Sequence, residues 1–211
     1  GLAQNSVLTY LGYNGTNSIN YCDFAGGLIG SSINTVISNA YANAELITES
    51  NICYGGLVGY IDNTSSVNFS YAATTAIGVD GSKIAGLIYE NSGNIKDSYA
   101  VLQANISAYS FAYINTGLFE DCYAILPTFI KYTLVQDGVD TGITALSVMD
   151  AVGALFEEDL NWDVQPDKLP RLADIVGQSG VSTPIANTQS ISIVDMDIFD
   201  LADYIEISSG V

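Results

Sequence analysis

The chain has 211 residues, of which 48% are apolar and only 13% are charged, and this length suffices for one substantial domain. Five basic residues stand against 23 acidic ones, so the formal net charge is −18 at pH 7. Such a charge repels a phosphate backbone and an anionic membrane surface, which excludes nucleic acid as a partner. No run of 18 apolar residues occurs, so no membrane-spanning helix is predicted. The chain starts without Met or a signal-like stretch, as expected of a mature or excised piece.

Several classes of catalytic and metal site lack the residues they need. The chain contains no histidine, which removes most catalytic triads, the histidine-based zinc sites and the commonest general base. Its three cysteines, Cys22, Cys53 and Cys122, are odd in number and widely spaced, so they predict neither a disulfide framework nor a metal-binding pair. We therefore expect a protein that is not an enzyme and that uses no cofactor and no metal.

Internal repeats fill the first 126 residues, and each copy has two parts. The first part is a glycine-rich apolar segment, seen at 26–30, 55–59 and 85–89, with weaker versions at 10–13 and 110–113. The second part is a polar segment that ends in Tyr-Ala, seen at 37–42, 67–72, 95–100 and 119–124, with a degenerate earlier copy at 19–24. The variable spacing between copies indicates that the strands keep their register while the corners change in length.

These segments are too short for helices. Each holds about four to six residues between Gly, Asn, Ser and Asp, which is typical of strands. A repeat of roughly 24 to 30 residues, cut into about three strands, can complete one coil and stack about 4.8 Å from the next. The sequence therefore predicts an all-β protein, a right-handed parallel β-solenoid of about five coils.

The repeats resemble the GLUG motif, in which a Gly-Gly-Leu-Val-Gly strand precedes an Ile-x-Asn-Ser-Tyr-Ala strand. The resemblance covers roughly residues 10–126 and is good in the three central copies and partial in the outer two. It implies an element of a large secreted or surface-anchored bacterial protein, such as an adhesin or the non-catalytic part of a surface peptidase. It specifies architecture far better than activity.

The pattern changes after Pro127, so we divide the chain into a solenoid at 1–126, a capping region at 127–176, a linker at 177–190 and an acidic strand-like tail at 191–211. Within the capping region, Ser147–Asp150 is expected to cap a short helix that runs towards Phe156. Trp162 is expected to plug the last coil and cover its apolar end. The alternating tail is too short to bury a core alone, so it must dock on its own solenoid or on another molecule. Its apolar members are Ile191, Ile193, Ile198, Phe199, Tyr204, Ile205 and Ile207.

Aligning the copies predicts two columns of stacked side chains. One is small, formed by Cys22, Ala40, Ser70, Ser98 and Cys122, and we interpret it as packing where the coil is narrow. Cys22 and Cys122 would lie about 19 Å apart, too far for a disulfide. The other is a ladder of Tyr41, Tyr71, Tyr99 and Tyr123, which serves either as an aromatic stripe for sugars or another chain, or as a buried stack. The direction of these rings is left open.

Other candidate sites are weaker. Sequons at Asn14, Asn63 and Asn105 fall at expected corners and are candidate glycosylation sites, whereas the sequon at Asn68 lies within a repeat strand. Acidic groups at 157–159 and in the tail match no calcium-binding loop, so they are interpreted as a solvated face. No carboxylate pair stands out for glycoside cleavage.

The leading functional hypothesis is an extracellular or cell-surface structural module that self-associates or joins neighbouring subunits, partly through its tail. One version has the tail add a strand to a neighbour's exposed edge. The alternative is a carbohydrate-binding module that presents the tyrosine ladder to glycans. A carbohydrate-active β-helix enzyme is a remote third.

Overall fold

The computed structural model describes residues 1–20, 22–78, 82–104, 107–126, 133–147, 156, 159–164, 169–176 and 178. These residues form strands and no helix. The strands are β1 (Leu2–Ser18), β2 (Ala25–Gly26), β3 (Ile29–Ile47), β4 (Cys53–Gly55), β5 (Val58–Ile61), β6 (Ser66–Asn68), β7 (Tyr71–Ile77), β8 (Lys83–Ala85), β9 (Ile88–Asn91), β10 (Asn94–Lys96), β11 (Tyr99–Ala104), β12 (Ala108–Asn115), β13 (Leu118–Glu120), β14 (Cys122–Leu126), β15 (Thr133–Gly138), β16 (Ile143–Ser147), β17 (Trp162–Asp163) and β18 (Arg171–Leu172).

Strands β1 to β16 pair in parallel and stack into a β-solenoid, which confirms the predicted fold class. The glycine-rich segments are in register as aligned, with Ile29 beside Val58, Val58 beside Ile88, and Ile88 beside Ala112. The polar segments are likewise in register, since Val67 lies between Ile37 and Ile95. The repeat alignment therefore predicts the strand register through the central coils.

The solenoid makes about three full turns, fewer than the five coils predicted. Residues 25–47, 53–77 and 83–104 form the longest coils, and each starts with its own short strand, β2, β4 or β8. We call each coil, complete or incomplete, a level of the solenoid. Shorter levels stack beyond the three long ones, β1 on one side and β12 to β16 on the other. The difference in number arises because the outer levels are incomplete, and the type of fold is unchanged.

The first repeat copy predicted from the sequence is wrong. Strand β1 runs alongside β3 over its whole length and places Leu8 opposite Ile37 and Gly12 opposite Tyr41. Residues 10–13 therefore belong to the tyrosine level and not to a glycine-rich segment, and Ile19 lies outside the column of Ile37. Stacking is enforced by backbone hydrogen bonds, so β1 can occupy a level without repeating the side chains of the others.

Side chains that face inward from equivalent positions of successive coils stack on one another and form the solenoid core. Ile37, Val67 and Ile95 are 0–1% exposed and stack on one another, and Leu57, Leu87 and Phe111 do the same on the next side. Glycine at the start of the motif is required by space, because a Cβ on Gly56 would lie 1.9 Å from the carbonyl oxygen of Gly86. The glycine-rich segment thus lets successive coils approach closely at that corner.

A C-terminal clasp, the described part of the chain between Phe156 and Gln178, lies against the side of the solenoid. Its strands β17 and β18 pair antiparallel, with Trp162 opposite Leu172 and Asp163 opposite Arg171. The Arg171 guanidinium donates to the Asp163 carboxylate across this pair. The predicted helix from Ser147 lies almost wholly outside the described residues, as do most of the linker and the whole tail. Within the described part, no helix is long and apolar enough to cross a membrane.

Candidate functional site

The four predicted tyrosines form a column in the structure. Tyr41 of β3 pairs with Tyr71 of β7, which pairs with Tyr99 of β11, which pairs with Tyr123 of β14. The rings of Tyr41 and Tyr71 stack with centroids 5.4 Å apart, and those of Tyr71 and Tyr99 stack at 5.0 Å with an interplanar angle of 6°. The predicted ladder is therefore present as a column of four tyrosines, in which the rings of Tyr41, Tyr71 and Tyr99 stack.

A corner two residues before each tyrosine explains why the rings turn outward. Asn39, Phe69, Asp97 and Asp121 adopt φ of 49°, 45°, 47° and 48°, the left-handed conformation in which Asn and Asp are enriched. After this corner the small residue points into the core, the tyrosine points away from it, and the following alanine returns to the core. Each of these levels thus has a corner before its tyrosine, and the corner directs the ring to the outer face of the sheet.

Side chains of the small column form hydrogen bonds with backbone groups. Ser70 Oγ accepts from the amide of Ala40 at 3.2 Å, and Ser98 Oγ accepts from the amide of Ser70 at 3.1 Å. The Cys122 thiol donates to the carbonyls of Ile95 and Glu120, and burial raises its pKa to about 12, which makes it a poor nucleophile at neutral pH. The column packs where the coil is narrow, as the sequence predicts, and the structure adds that its serines accept from backbone amides.

The prediction that Cys22 belongs to this column is wrong. Cys22 is exposed and lies outside it, and the residue opposite Ala40 is Leu11 of β1. The error follows from the mistaken first repeat copy. All three cysteines are free thiols.

Although the tyrosine rings lie on the outer face of the sheet, the clasp covers them. Tyr71 and Tyr99 are 0% exposed and Tyr41 is 4% exposed, whereas Tyr123 is half-buried. The Trp162 ring lies 5.4 Å from that of Tyr99 and 6.2 Å from that of Tyr71. Trp162 therefore covers the side of the middle coils. The prediction that it plugs the end of the last coil is wrong. The other apolar residues of this cover are Phe156, Leu169 and Leu172.

The buried hydroxyl groups are paired with the clasp. Tyr99 donates to the carbonyl oxygen of Pro170 at 2.5 Å, and Tyr71 donates to Gln178 Oε1 at 2.9 Å. The Gln178 amide is itself fixed, because its Oε1 accepts from Leu172 N and its Nε2 donates to Leu172 O. Burial raises the pKa of Tyr71 and of Tyr99 well above the usual value for tyrosine. These contacts hold the clasp in a specific position on the column.

The column ends at β1 because β1 supplies glycine where other levels supply tyrosine. A Cβ on Gly12 would lie 2.0 Å from the Tyr41 ring, so only glycine fits beneath it. Asn14, also in β1, donates to the Tyr41 hydroxyl at 2.8 Å. The tyrosine column is thus closed along its side by the clasp and at this end by β1, and no ring face of Tyr71 or Tyr99 is available to a sugar.

The candidate glycosylation residues differ in their surroundings. Asn63 is exposed in a turn, as predicted for a corner. Asn14 is exposed but lies within β1, so the prediction that it occupies a corner is wrong. Asn105 lies outside the described residues, and Asn68 is in β6 as expected.

Acidic clusters of the described region do not form a cation site. Its residues contain no group of three or more His, Cys, Asp or Glu side chains placed to hold a metal ion. The Asp62 carboxylate instead accepts from Ser65 and Thr64 in its own turn. Of the acidic groups singled out in the sequence, only Asp159 lies within the described residues, where it accepts from the amide of Asn161.

The repeat alignment misses the outer edge of β1. This 17-residue strand pairs with β3 on one side only, and no other described strand pairs with it. Leu2, Val7 and Tyr10 are 63%, 72% and 56% exposed, and an open cavity of about 580 Å³ lies against the same strand. A sequence signal existed, because residues 1–22 contain no charge and no proline.

The comparisons with known proteins add no assignment. No family model matches the chain, and searches of curated proteins and of solved structures find no match either. The resemblance to the GLUG motif therefore stays a prediction from the repeats.

Proposed function

We propose that the chain is a non-enzymatic structural module of an extracellular assembly, a segment of a surface fibre, layer or adhesin that is joined partly through its C-terminal tail. The observation that carries this proposal is the open edge of β1. Native edge strands are normally protected by charge, proline, bulges or a covering segment. Strand β1 has no charged residue and no proline in 17 residues, so its edge is suited to pairing.

The remaining features support a structural role. Every repeated column in the described coils is used for packing or for capping the backbone, and the absence of histidine removes the commonest catalytic base. A surface rich in Asn, Ser, Thr and Tyr with few charges is typical of secreted β proteins. Because the clasp covers the tyrosine column, we do not extend the proposal to sugar binding by these rings.

The experiment is a deletion of residues 190–211 from the otherwise intact chain. We expect the full chain to form extended assemblies in negative-stain electron microscopy, and the shortened chain to remain as single particles in light scattering. A matched variant of full length, with Ile193→Ser and Ile198→Ser, tests whether the apolar residues are responsible. Assemblies that persist unchanged in both variants contradict the proposal.

A further inference from the structure

We propose that the outer edge of β1 is the binding site for the tail, and that residues 191–207 pair with it as a parallel strand donated by a second copy of the chain. This inference rests on the proposed function and names the surface on which it acts. The edge is the obvious site for strand addition, because its backbone groups have no strand partner on that side among the described residues.

The shape of the edge limits what can bind. Asn5 and Tyr10 of β1 have φ of 52° and 57°, and each lies opposite a left-handed residue of β3, Asn34 or Asn39. The edge is therefore bent at two corners, and its longest straight stretch runs from Leu11 to Ser18. Residues 191–207 number 17, as the residues of β1 do, so the tail has the length to follow the whole edge, Val7 included.

Apolar side chains at this end lack a covering layer. Ala3, Leu8 and Leu11 pack against the core but are only partly buried, and the open cavity is bordered by Leu8, Leu28 and Ile29. A further strand beneath β1 would bury these residues as each coil buries the next. The apolar residues of the tail, such as Ile191 and Ile193, have the chemistry that such a layer needs.

Charge favours this edge over the opposite one. Residues 191–211 carry five acidic groups and no basic group, so the tail is repelled by carboxylates. At the opposite end of the solenoid, Asp137 and Asp140 are exposed at the β15 level. Residues 1–22 have no charged side chain, so β1 is the end level on which an acidic strand meets least repulsion.

The tail also has the reach. Gln178 is anchored on the Tyr71 hydroxyl, and the level beyond β1 lies about 14 Å from Tyr71 along the solenoid axis. The roughly twelve residues that follow span up to about 40 Å when extended. The tail can therefore reach an edge of its own molecule or of an adjacent one, and the experiment distinguishes these cases.

The test places a photo-crosslinking p-benzoylphenylalanine at Val7 of the full chain and, as the matched control, at Val139 of the opposite end. These side chains are 72% and 60% exposed, so both positions tolerate the probe. Chains labelled with ¹⁵N are mixed with unlabelled chains before irradiation, and the crosslinked peptides are identified by mass spectrometry. We expect Val7, and not Val139, to capture residues 191–207 in peptides of mixed label.

The charge requirement is tested with a near-isosteric pair in the Val7 probe background. Both Tyr10→Asp and Tyr10→Asn suit the left-handed corner, but only the first adds a negative charge. We expect Tyr10→Asp to lower the capture of the tail about two- to fivefold relative to Tyr10→Asn.

Three outcomes separate the inference from the proposed function. If the crosslinked peptides carry only one label, the tail binds β1 of its own chain. This outcome keeps β1 as the binding site of the tail, but it overturns donation from a second copy and assembly through the tail. Assemblies that require the tail, with no capture at Val7, keep the proposed function and overturn this site. Equal capture at Val7 and Val139 overturns the specificity of the edge and with it the inference.

Discussion

The tyrosine column and the edge of β1 are two surfaces that the solenoid leaves outside its core, and the chain treats them differently. The column is covered by the clasp, with Tyr71 and Tyr99 0% exposed and their hydroxyls paired. The edge is uncovered, with Val7 72% exposed and no strand on its outer side in the described region. The repeated residues are therefore used for packing within the chain, whereas the surface that remains free for a partner is formed by β1, which departs from the repeat.

The largest effect is expected from removing the centre of the clasp. Trp162→Ala leaves a cavity between the clasp and the Tyr71 and Tyr99 rings and should lower the free energy of unfolding by about 3–5 kcal/mol. If the clasp detaches first, Tyr71 and Tyr99 become exposed and their pKa values fall towards the usual value for tyrosine. Thermal denaturation measures the stability, and ultraviolet absorbance during a pH titration measures the ionisation.

Trp162→Phe is the control for this substitution. The Trp162 Nε1 is buried and has no hydrogen-bond partner among the residues that the structure describes, so phenylalanine loses little there. We expect Trp162→Phe to keep most of the stability. An unchanged tyrosine titration in Trp162→Ala would contradict the central role of Trp162, because it would show that the clasp still covers Tyr71 and Tyr99 without it.

A smaller effect is expected from a single hydroxyl. Tyr99→Phe leaves the buried carbonyl of Pro170 without its donor and should cost about 1–3 kcal/mol. Tyr123→Phe, in the same column but half-buried, should cost less than about 0.5 kcal/mol. Chemical denaturation of the two variants measures the difference, and equal costs would contradict the role of the clasp hydrogen bond.

The contrast between the two surfaces also shows what the sequence could predict. Register in the central coils and the tyrosine column follow from local repeats, because Tyr41, Tyr71 and Tyr99 stand in recognisable copies. The level formed by β1 could not be found in this way, since Leu8 and Gly12 occupy their columns through backbone pairing and not through similarity. The position of Trp162 was equally hidden, because its contacts with Tyr71 and Tyr99 depend on packing between residues far apart in the chain.

A third prediction concerns the corner beside the covered column. Burial raises the pKa of Asp97; nearby Asp121 and Asp159 also raise it, and Lys96 opposes them. The pKa of Asp97 is therefore higher in the folded chain than in the unfolded chain. At pH values below the unfolded pKa, Asp97 contributes fully to the stability of the folded state, and this contribution is lost as the pH rises through the folded pKa.

Asp97→Asn removes the charge and keeps a residue that suits φ of 47°, as Asn39 does at the equivalent corner. We expect the variant to be more stable than the parent at pH 7 by about 0.5 kcal/mol or less, since Asp97 is only partly buried and solvent screens its charge, and equal to it near pH 3. Denaturation at the two pH values measures this. A difference that does not change with pH would contradict the electrostatic explanation.

The smallest effect on folding is expected at the open edge. Tyr10→Asn removes a whole aromatic ring, yet Tyr10 is 56% exposed and contributes no ring to the buried column. Asparagine also suits φ of 57° better than tyrosine does, so the free energy of unfolding should stay within about 0.5 kcal/mol of the parent or rise. Loss of a ring at the edge should thus cost less than loss of one hydroxyl in the column. The comparison is made in a chain that lacks residues 190–211, so that no tail can bind the edge. If Tyr10→Asn lowers the free energy of unfolding there by more than about 1 kcal/mol, the edge belongs to the fold and is not a free surface.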